Sequence, residues 1–421
     1  MKKFRPILTV LGLNLLAFSA TAVLPATAVI AADQKEQKVG PKVGKPLQEA
    51  LTAGQAKQWD QALTKLREAD AVSEKTPYEQ FKINEIFAWV YTSQKKYAEA
   101  AAIYEKLIDS PFVSPTESDQ YIKNVAQMYL QTNNNTKALD YLQRWLKAHP
   151  GDADMTAILG QLQFKTGQLK QSLDTFNGLV SATEKSGQRP KEDWLKIMYR
   201  VSYQLGGSTN TLDKPTLAIL EKLLRYYPSE TYWAPMLTAL KQQQNSDAGR
   251  FQLDRLMLAV GTLKDPNDFI EMAQLANNFG YPGEALSVLD AGYSKGILGT
   301  SAGKDREDRL KASIQKLADA DKAALPALDK KARDAATGQD DVTLGEAYYG
   351  YGRYPEAIEA LDRGIKKGGL KSPDKAQIAL GISYLRAGQP DKARAAFKQV
   401  PDESEFGRIA DLWMLHAANP K

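Results

Sequence analysis

The chain of 421 residues contains no cysteine. That excludes disulfides, a thiol nucleophile, a Cys-ligated zinc and a lipid anchor carried on cysteine. Histidine is nearly absent too: only His149 and His416 occur. A His-based metal site or a Ser-His-Asp triad would rest on one of these two alone. His149 precedes Pro150 at an expected helix end, where an imidazole can pair with exposed carbonyls. No G-x-x-x-x-G-K-[ST] loop is present, and no strand precedes Gly350-Tyr351-Gly352-Arg353, which reads as a helix–helix turn. The sequence thus offers no catalytic residue, metal or cofactor site. Charge of one sign is also scarce. Removing the three cations Lys2, Lys3 and Arg5 of the expected leader from the formal +5 leaves +2. That is too little to argue for nucleic-acid binding.

Long apolar runs are missing except at the start. Met1 to Arg5 is a basic n-region, and Ile7 to Phe18 is a short apolar run. Small-residue sites follow at Ala20-Thr21-Ala22 and Ala26-Thr27-Ala28, with a further option after Ala32. Residues 1–32 are therefore expected to be a cleaved secretory signal, which places the mature chain in the periplasm with no membrane span. Residues 33–46, rich in Lys, Gln and Gly, are expected to be a flexible linker.

What the sequence does have is internal periodicity. Gly352-Arg353-Tyr354-Pro355-Glu356-Ala357 and Gly388-Gln389-Pro390-Asp391-Lys392-Ala393 share a pattern: a turn residue, then an aromatic or proline, then a small residue. Lys95 to Ala100, Gly280 to Ala285 and Gln58 to Ala62 repeat it. The small residue marks a register at Ala62, Ala100, Ala138, Ser172, Ala218, Gly249, Ala285, Ala324, Ala357 and Ala393, with steps of 31 to 46 residues. The step of 46 holds an insertion from Gly206 to Lys214. A second small residue is expected twelve positions earlier, where two helices cross. Ala50, Ala88, Ala126, Gly160, Ala273, Ala312, Gly345 and Gly381 supply it. Helices approach closely only over small side chains, while larger neighbours fill the groove. Aromatics three residues further on are Tyr91, Tyr129, Tyr348 and Tyr384. Pro77, Pro111, Pro150, Pro228 and Pro401 punctuate the units.

Leu344-Gly345-Glu346-Ala347-Tyr348 and Leu380-Gly381-Ile382-Ser383-Tyr384 resemble the core of the tetratricopeptide repeat (TPR), a unit of about 34 residues. The resemblance runs from Leu47 to about Pro401. It implies an all-α TPR α-solenoid, a right-handed superhelix of about ten helix pairs over residues 47–401. Residues 402–421 are expected to form a C-terminal capping helix and tail, since terminal units need a cover. Tyr227-Pro228-Ser229-Glu230-Thr231-Tyr232-Trp233, Gly280 to Ala285 and Gly364 to Lys371 resemble periplasmic TPR proteins encoded beside bacterial TonB–ExbB–ExbD systems. That implies a scaffold for protein partners, with TonB–ExbB–ExbD components as candidates. The competing reading is a TPR module for envelope assembly or polysaccharide export.

The first helix of each pair lines the concave face in this family. Taking its small residue as reference, the face would carry Lys82, Trp89, Lys123, Gln127, Gln161, Gln274 and Asn277. This mix suits an extended protein segment whose backbone needs hydrogen bonds. The acid-rich stretch Asp319, Asp321, Asp329, Asp334, Asp340 and Asp341 lacks the spacing of a calcium loop. Interleaved Lys322, Lys330, Lys331 and Arg333 mark it as an exposed, ion-paired helix face. Asn134-Asn135-Thr136 matches a glycosylation triplet but falls in an expected helix–helix turn, where Asn is favoured anyway.

Overall fold

The computed structural model describes residues 38–206, 212–300 and 303–418. The expected signal, residues 1–32, lies outside the described residues. Among the described residues there are twenty α-helices and no strand. They divide into two compact units, one ending at Leu205 and one beginning at Gly206.

The N-terminal unit holds four helix pairs and one further helix. The pairs are α1 (Pro41–Gln55) with α2 (Trp59–Asp70), α3 (Pro77–Ser93) with α4 (Tyr97–Ile108), α5 (Pro115–Gln131) with α6 (Asn135–Ala148), and α7 (Ala153–Lys165) with α8 (Leu169–Lys185). Helix α9 (Glu192–Leu205) follows α8 and packs on it. The C-terminal unit begins with α10 (Lys214–Tyr226). It continues with the pairs α11 (Glu230–Gln243) with α12 (Asp247–Val260) and α13 (Pro266–Asn278) with α14 (Pro282–Ser294). Then come a long single helix α15 (Lys304–Asp334), the pairs α16 (Gln339–Gly350) with α17 (Tyr354–Lys367) and α18 (Pro373–Arg386) with α19 (Pro390–Phe397), and α20 (Gly407–Ala418).

Local chemistry sets the helix ends. Thr76 with Glu79 and Ser114 with Glu117 form reciprocal capping boxes ahead of α3 and α5, each with proline in the first turn. Glu79 also accepts the Gly40 N–H at 2.8 Å, tying the start of α1 to α3. Helix α1 therefore begins at Pro41, inside the stretch expected to be linker. Val43 and Leu47, four residues apart, are buried and give that turn a face to bury.

The turn inside each pair is where the sequence pattern acquires a mechanism. Lys57, Lys95, Asn133, Gly167, Gly280, Gly352 and Gly388 all have φ between 56° and 82°. Each lies five residues before a register mark. In each case the next residue donates its N–H to the carbonyl five residues back, as Lys96 does to Tyr91 and Arg353 to Tyr348, both at 2.9 Å. This is the left-handed helix stop that satisfies the last carbonyls.

At the crossings the small residues are enclosed. Ala50 with Ala62, Ala126 with Ala138, and Ala273 with Ala285 are completely buried pairs. A β-carbon on Gly160 would stand 2.7 Å from the Phe176 ring, and one on Gly345 2.5 Å from Leu361. Ser172 donates its hydroxyl to the Gly160 carbonyl at 2.8 Å.

Two marks of the expected register fail. Ala218 is exposed on α10, while Thr216 and Leu217 are buried. Ala312 and Ala324 are exposed on one uninterrupted helix of 31 residues, α15. There the buried apolar residues are Ile314, Ala318, Leu325 and Ala332, a narrow stripe with polar residues around it, and Glu307 is buried in the first turn. A long helix of this kind buries one seam and needs no partner helix of its own repeat. Among the described residues the expected ten repeats thus become eight helix pairs within the two units, with α9, α10, α15 and α20 outside them. Helix α20 covers α19 as a cap would, and it also touches α12.

Candidate functional site

The sequence-derived face is divided between the units. Lys82 and Trp89 lie on α3, Lys123 and Gln127 on α5, and Gln161 on α7, the first helices of successive pairs. Gln274 and Asn277 lie on α13 of the other unit. Lys82 pairs with Glu85 at 2.7 Å and lies over the Tyr78 and Phe81 rings. Burial pushes the Glu85 carboxyl above its ordinary range. Lys123 lies 4.9 Å from the Trp145 ring centre and 3.4 Å from Asp152, which also accepts the Trp145 indole N–H at 3.0 Å. Both cations are thus engaged inside the unit. Trp89 is half-buried: its ring fills the space above Gly54 of α1 and meets Trp59 edge-on at 6.2 Å. Gln127 and Gln161 are half-exposed, Asn277 is half-buried and Gln274 is exposed. In the N-terminal unit Gln127 and Gln161 thus keep part of their side-chain surface exposed, as does Trp89.

Each of the two histidines lies against a tryptophan ring, and His149 Nε2 is also 3.7 Å from Asp119. His149 stacks on Trp145 at 3.7 Å, with Nδ1 3.2 Å from the Trp145 carbonyl. His416 lies edge-on to Trp233 and Trp413. Three of the six acids of the acid-rich stretch are ion-paired, Asp319 and Asp321 accept from Gln315 and Tyr351 instead, and Asp341 is buried rather than part of the expected exposed face. Asp329 meets Arg333 and Arg363 at 3.0 and 3.1 Å, and Asp340 meets Lys331 at 3.0 Å. Buried Asp341 meets Arg363 at 2.6 Å and Lys367 at 2.8 Å. Among the described residues no group of three His, Cys, Asp or Glu side chains could hold a metal ion. Asn134 caps α6 by accepting the Lys137 N–H.

The C-terminal unit holds a feature the sequence did not reveal. A chamber of about 550 Å³ opens among α12, α14, α16, α18 and α20. At its inner wall Arg255, 3% exposed, bonds Glu284 through two nitrogens and Glu346 through one, and Phe251 lies against the guanidinium at 4.4 Å. Burial drives the Glu284 carboxyl upward toward its neutral form, against the pull of Arg255. Tyr349, Tyr351, Arg386, Trp413 and His416 complete the wall. Gly283 leaves room for the Tyr351 ring, whose hydroxyl donates to Asp321 at 2.7 Å. These residues come from positions 255 to 416, so no local motif could have joined them.

With the geometry in place, comparison with known proteins adds the class. The tetratricopeptide repeat family model matches residues 126–188 and 342–407. These stretches span α5–α8 and reach from α16 to the start of α20. The fold is a TPR α-solenoid, and no enzyme family is indicated. No curated protein sequence matches the chain. Solved structures that resemble it include MamA of AMB-1 (14% identity, TM-score 0.30, covering 43% of this chain and 88% of that one). Another is YrrB, described as a TPR protein with an unusual peptide-binding site (16% identity, TM-score 0.30, covering 48% and 97%). A tetratricopeptide repeat protein from Parabacteroides merdae shows 14% identity and TM-score 0.27, covering 72% and 100%.

Proposed function

We propose that the protein is an exported, non-enzymatic scaffold that binds an extended segment of a partner protein along the first helices of its repeats. The observation that carries this reading is that Trp89, Gln127 and Gln161, at equivalent positions of the first helices α3, α5 and α7, are all half-exposed. Primary amides can both donate to and accept from a peptide backbone. The finer reading places the scaffold in the periplasm, beside a TonB–ExbB–ExbD system. It is supported by the resemblance of Tyr227 to Trp233, Gly280 to Ala285 and Gly364 to Lys371. Several of these residues serve the fold: Tyr232 and Trp233 are buried, and Glu284 holds Arg255. The resemblance therefore speaks for a shared architecture more than for a shared contact surface.

The test is crosslinking in intact cells followed by identification of the joined peptides. Capture of TonB, ExbB or ExbD through α3, α5 or α7 supports the proposal. Recovery of the protein only in the cytoplasm would overturn the export reading. Binding to envelope polysaccharide on a sugar array, with no protein captured, would favour the envelope-assembly alternative.

A further inference from the structure

The chamber of the C-terminal unit has unspent donors and spent acceptors. Both oxygens of Glu284 receive Arg255, and Asp290 at the lining is held by Lys311 at 2.6 Å. On the donor side, the indole N–H of Trp413 is buried without a hydrogen-bond partner. A buried donor left unpaired is costly, and such a group calls for an explanation. Arg386 is exposed. Its Nε donates to the Tyr354 hydroxyl at 3.1 Å, and it pairs with no carboxylate among the described residues. A guanidinium has five N–H donors, so most of its capacity is open. The Arg255 guanidinium is already shared by Glu284 and Glu346, so Arg386 is the lining cation that is open to a ligand.

A cavity of this size lies within the range of small-molecule sites, which pair an apolar lining with a few fixed polar groups. Here the apolar part is Leu385, Ile382 and the rings of Tyr349 and Trp413. We propose that this chamber is a binding site for a small organic acid, its carboxylate on Arg386 and its ring-sized apolar body against Tyr349 and Trp413. An Arg–carboxylate contact is two-pronged and charge-assisted, so it selects an anion over a neutral isostere. The chamber belongs to the C-terminal unit and α3, α5 and α7 to the N-terminal unit, so the proposal does not depend on the peptide-binding reading.

The full chain is titrated by calorimetry with 3-phenylpropanoate and separately with its neutral amide. The acid is expected to bind at least about tenfold more tightly than the amide, the usual worth of a charge-assisted hydrogen bond. Arg386→Gln changes an exposed side chain, so it should leave the thermal unfolding curve unchanged. It should remove that preference while leaving the amide unaffected. Trp413→Phe keeps a six-membered ring but removes the N–H together with the five-membered ring of a buried side chain, so its thermal unfolding curve is recorded beside the titrations, and it should weaken the acid more than the amide. A pentapeptide capped at both ends with one internal glutamate separates two sources of the carboxylate. Tighter binding of the free acid assigns the site to a metabolite-sized ligand, and tighter binding of the peptide assigns it to a partner's acidic side chain. Equal binding of acid and amide, an acid affinity untouched by Arg386→Gln, or no heat from the acid up to about 10 mM would each overturn the proposal.

Discussion

Arg255 and Glu284 are joined by two parallel bonds, Nε to Oε1 at 2.8 Å and Nη2 to Oε2 at 2.5 Å, although 29 positions separate them in the chain. The pair ties α12 to α14, the second helices of two successive repeats. Glu346 on α16 joins the same Nη2 at 2.5 Å, so a single guanidinium holds three helices. In a repeat protein whose units meet mainly their neighbours, such a cluster links α12 to α14 and α16, which already pack on each other. It also stands behind the chamber, so chamber shape and unit stability share one set of contacts.

The cluster is unequal in what it tolerates. Arg255→Met would leave two buried carboxylates facing each other without a cation. That should cost about 3–5 kcal/mol at neutral pH, the usual penalty for an uncompensated buried charge. Glu284→Gln keeps one cation with one anion and should cost only about 1–2 kcal/mol. Urea unfolding of both variants checks this. An equal or larger loss from Glu284→Gln would mean that Glu346 does not hold the arginine alone.

A gain is expected at the turns. Lys95 has φ of 57°, in the left-handed region, where a β-carbon costs roughly 1–2 kcal/mol. Glycine avoids that cost and gives back about 0.5–1 kcal/mol in chain entropy. Lys95→Gly should therefore stabilise by about 0.5–1 kcal/mol, and Gly352→Ala should destabilise by about 1 kcal/mol. Thermal melts read both. A lower melting temperature for Lys95→Gly would contradict the turn geometry.

These turns show why part of the fold was readable. The turn residue and the small residue five places on are both forced by backbone geometry, so they recur in the sequence wherever a pair forms. Helix α15 escaped because Ala312 and Ala324 match the spacing while facing outward, and composition alone does not report the facing. Ala218 misled for the same reason. The chamber was illegible for a different one: Arg255, Tyr349, Arg386 and Trp413 are drawn from a stretch of nine helices, α12 to α20, and each looks ordinary in its own segment.

The register can be tested by contrast. Ala100→Leu and Ala138→Leu overfill fully buried crossings and should cost about 1–3 kcal/mol or more. Ala324→Leu on the exposed side of α15 should stay within about 0.5 kcal/mol. Hydrogen exchange should show the first two loosening their own repeat before the rest. If Ala324→Leu were as costly as Ala138→Leu, α15 would have to pack differently.

Stability should carry a pH signature from Asp254. Its carboxylate is buried and lies 2.8 Å from Lys241, which it shares with Asp268 and Glu271; Arg250 also approaches Glu271. Burial pushes the Asp254 pKa up to about 6, only partly offset by Lys241. Because the folded value lies above the unfolded one, the native state binds more protons between about pH 4 and 6. The contribution is therefore full below that window and is lost as pH rises through it, by roughly 3 kcal/mol. Asp254→Asn should lack this component. Urea midpoints measured from pH 4 to 7.5 for both proteins give the difference curve, and a flat difference would remove Asp254 as its source.

The binding face is tested with the stabilities kept in view. Trp89 was expected to be a groove residue, and its ring also supports α1 through Gly54 and Trp59. Trp89→Ala should therefore weaken a partner by about 2–4 kcal/mol, as a hot-spot indole does. It should also destabilise the N-terminal unit by about 3–5 kcal/mol through the cavity it leaves. A loss of binding in this variant alone could reflect either effect. Gln127→Ala and Gln161→Ala separate them, because both side chains are half-exposed and their removal should change stability by less than about 0.5 kcal/mol. With a partner found by crosslinking, calorimetry on the double glutamine variant should show affinity reduced about tenfold or more, from two lost backbone hydrogen bonds of about 1 kcal/mol each. Unchanged affinity in that variant, with crosslinks on α4, α6 or α8, would move the interface from the first helices to the second.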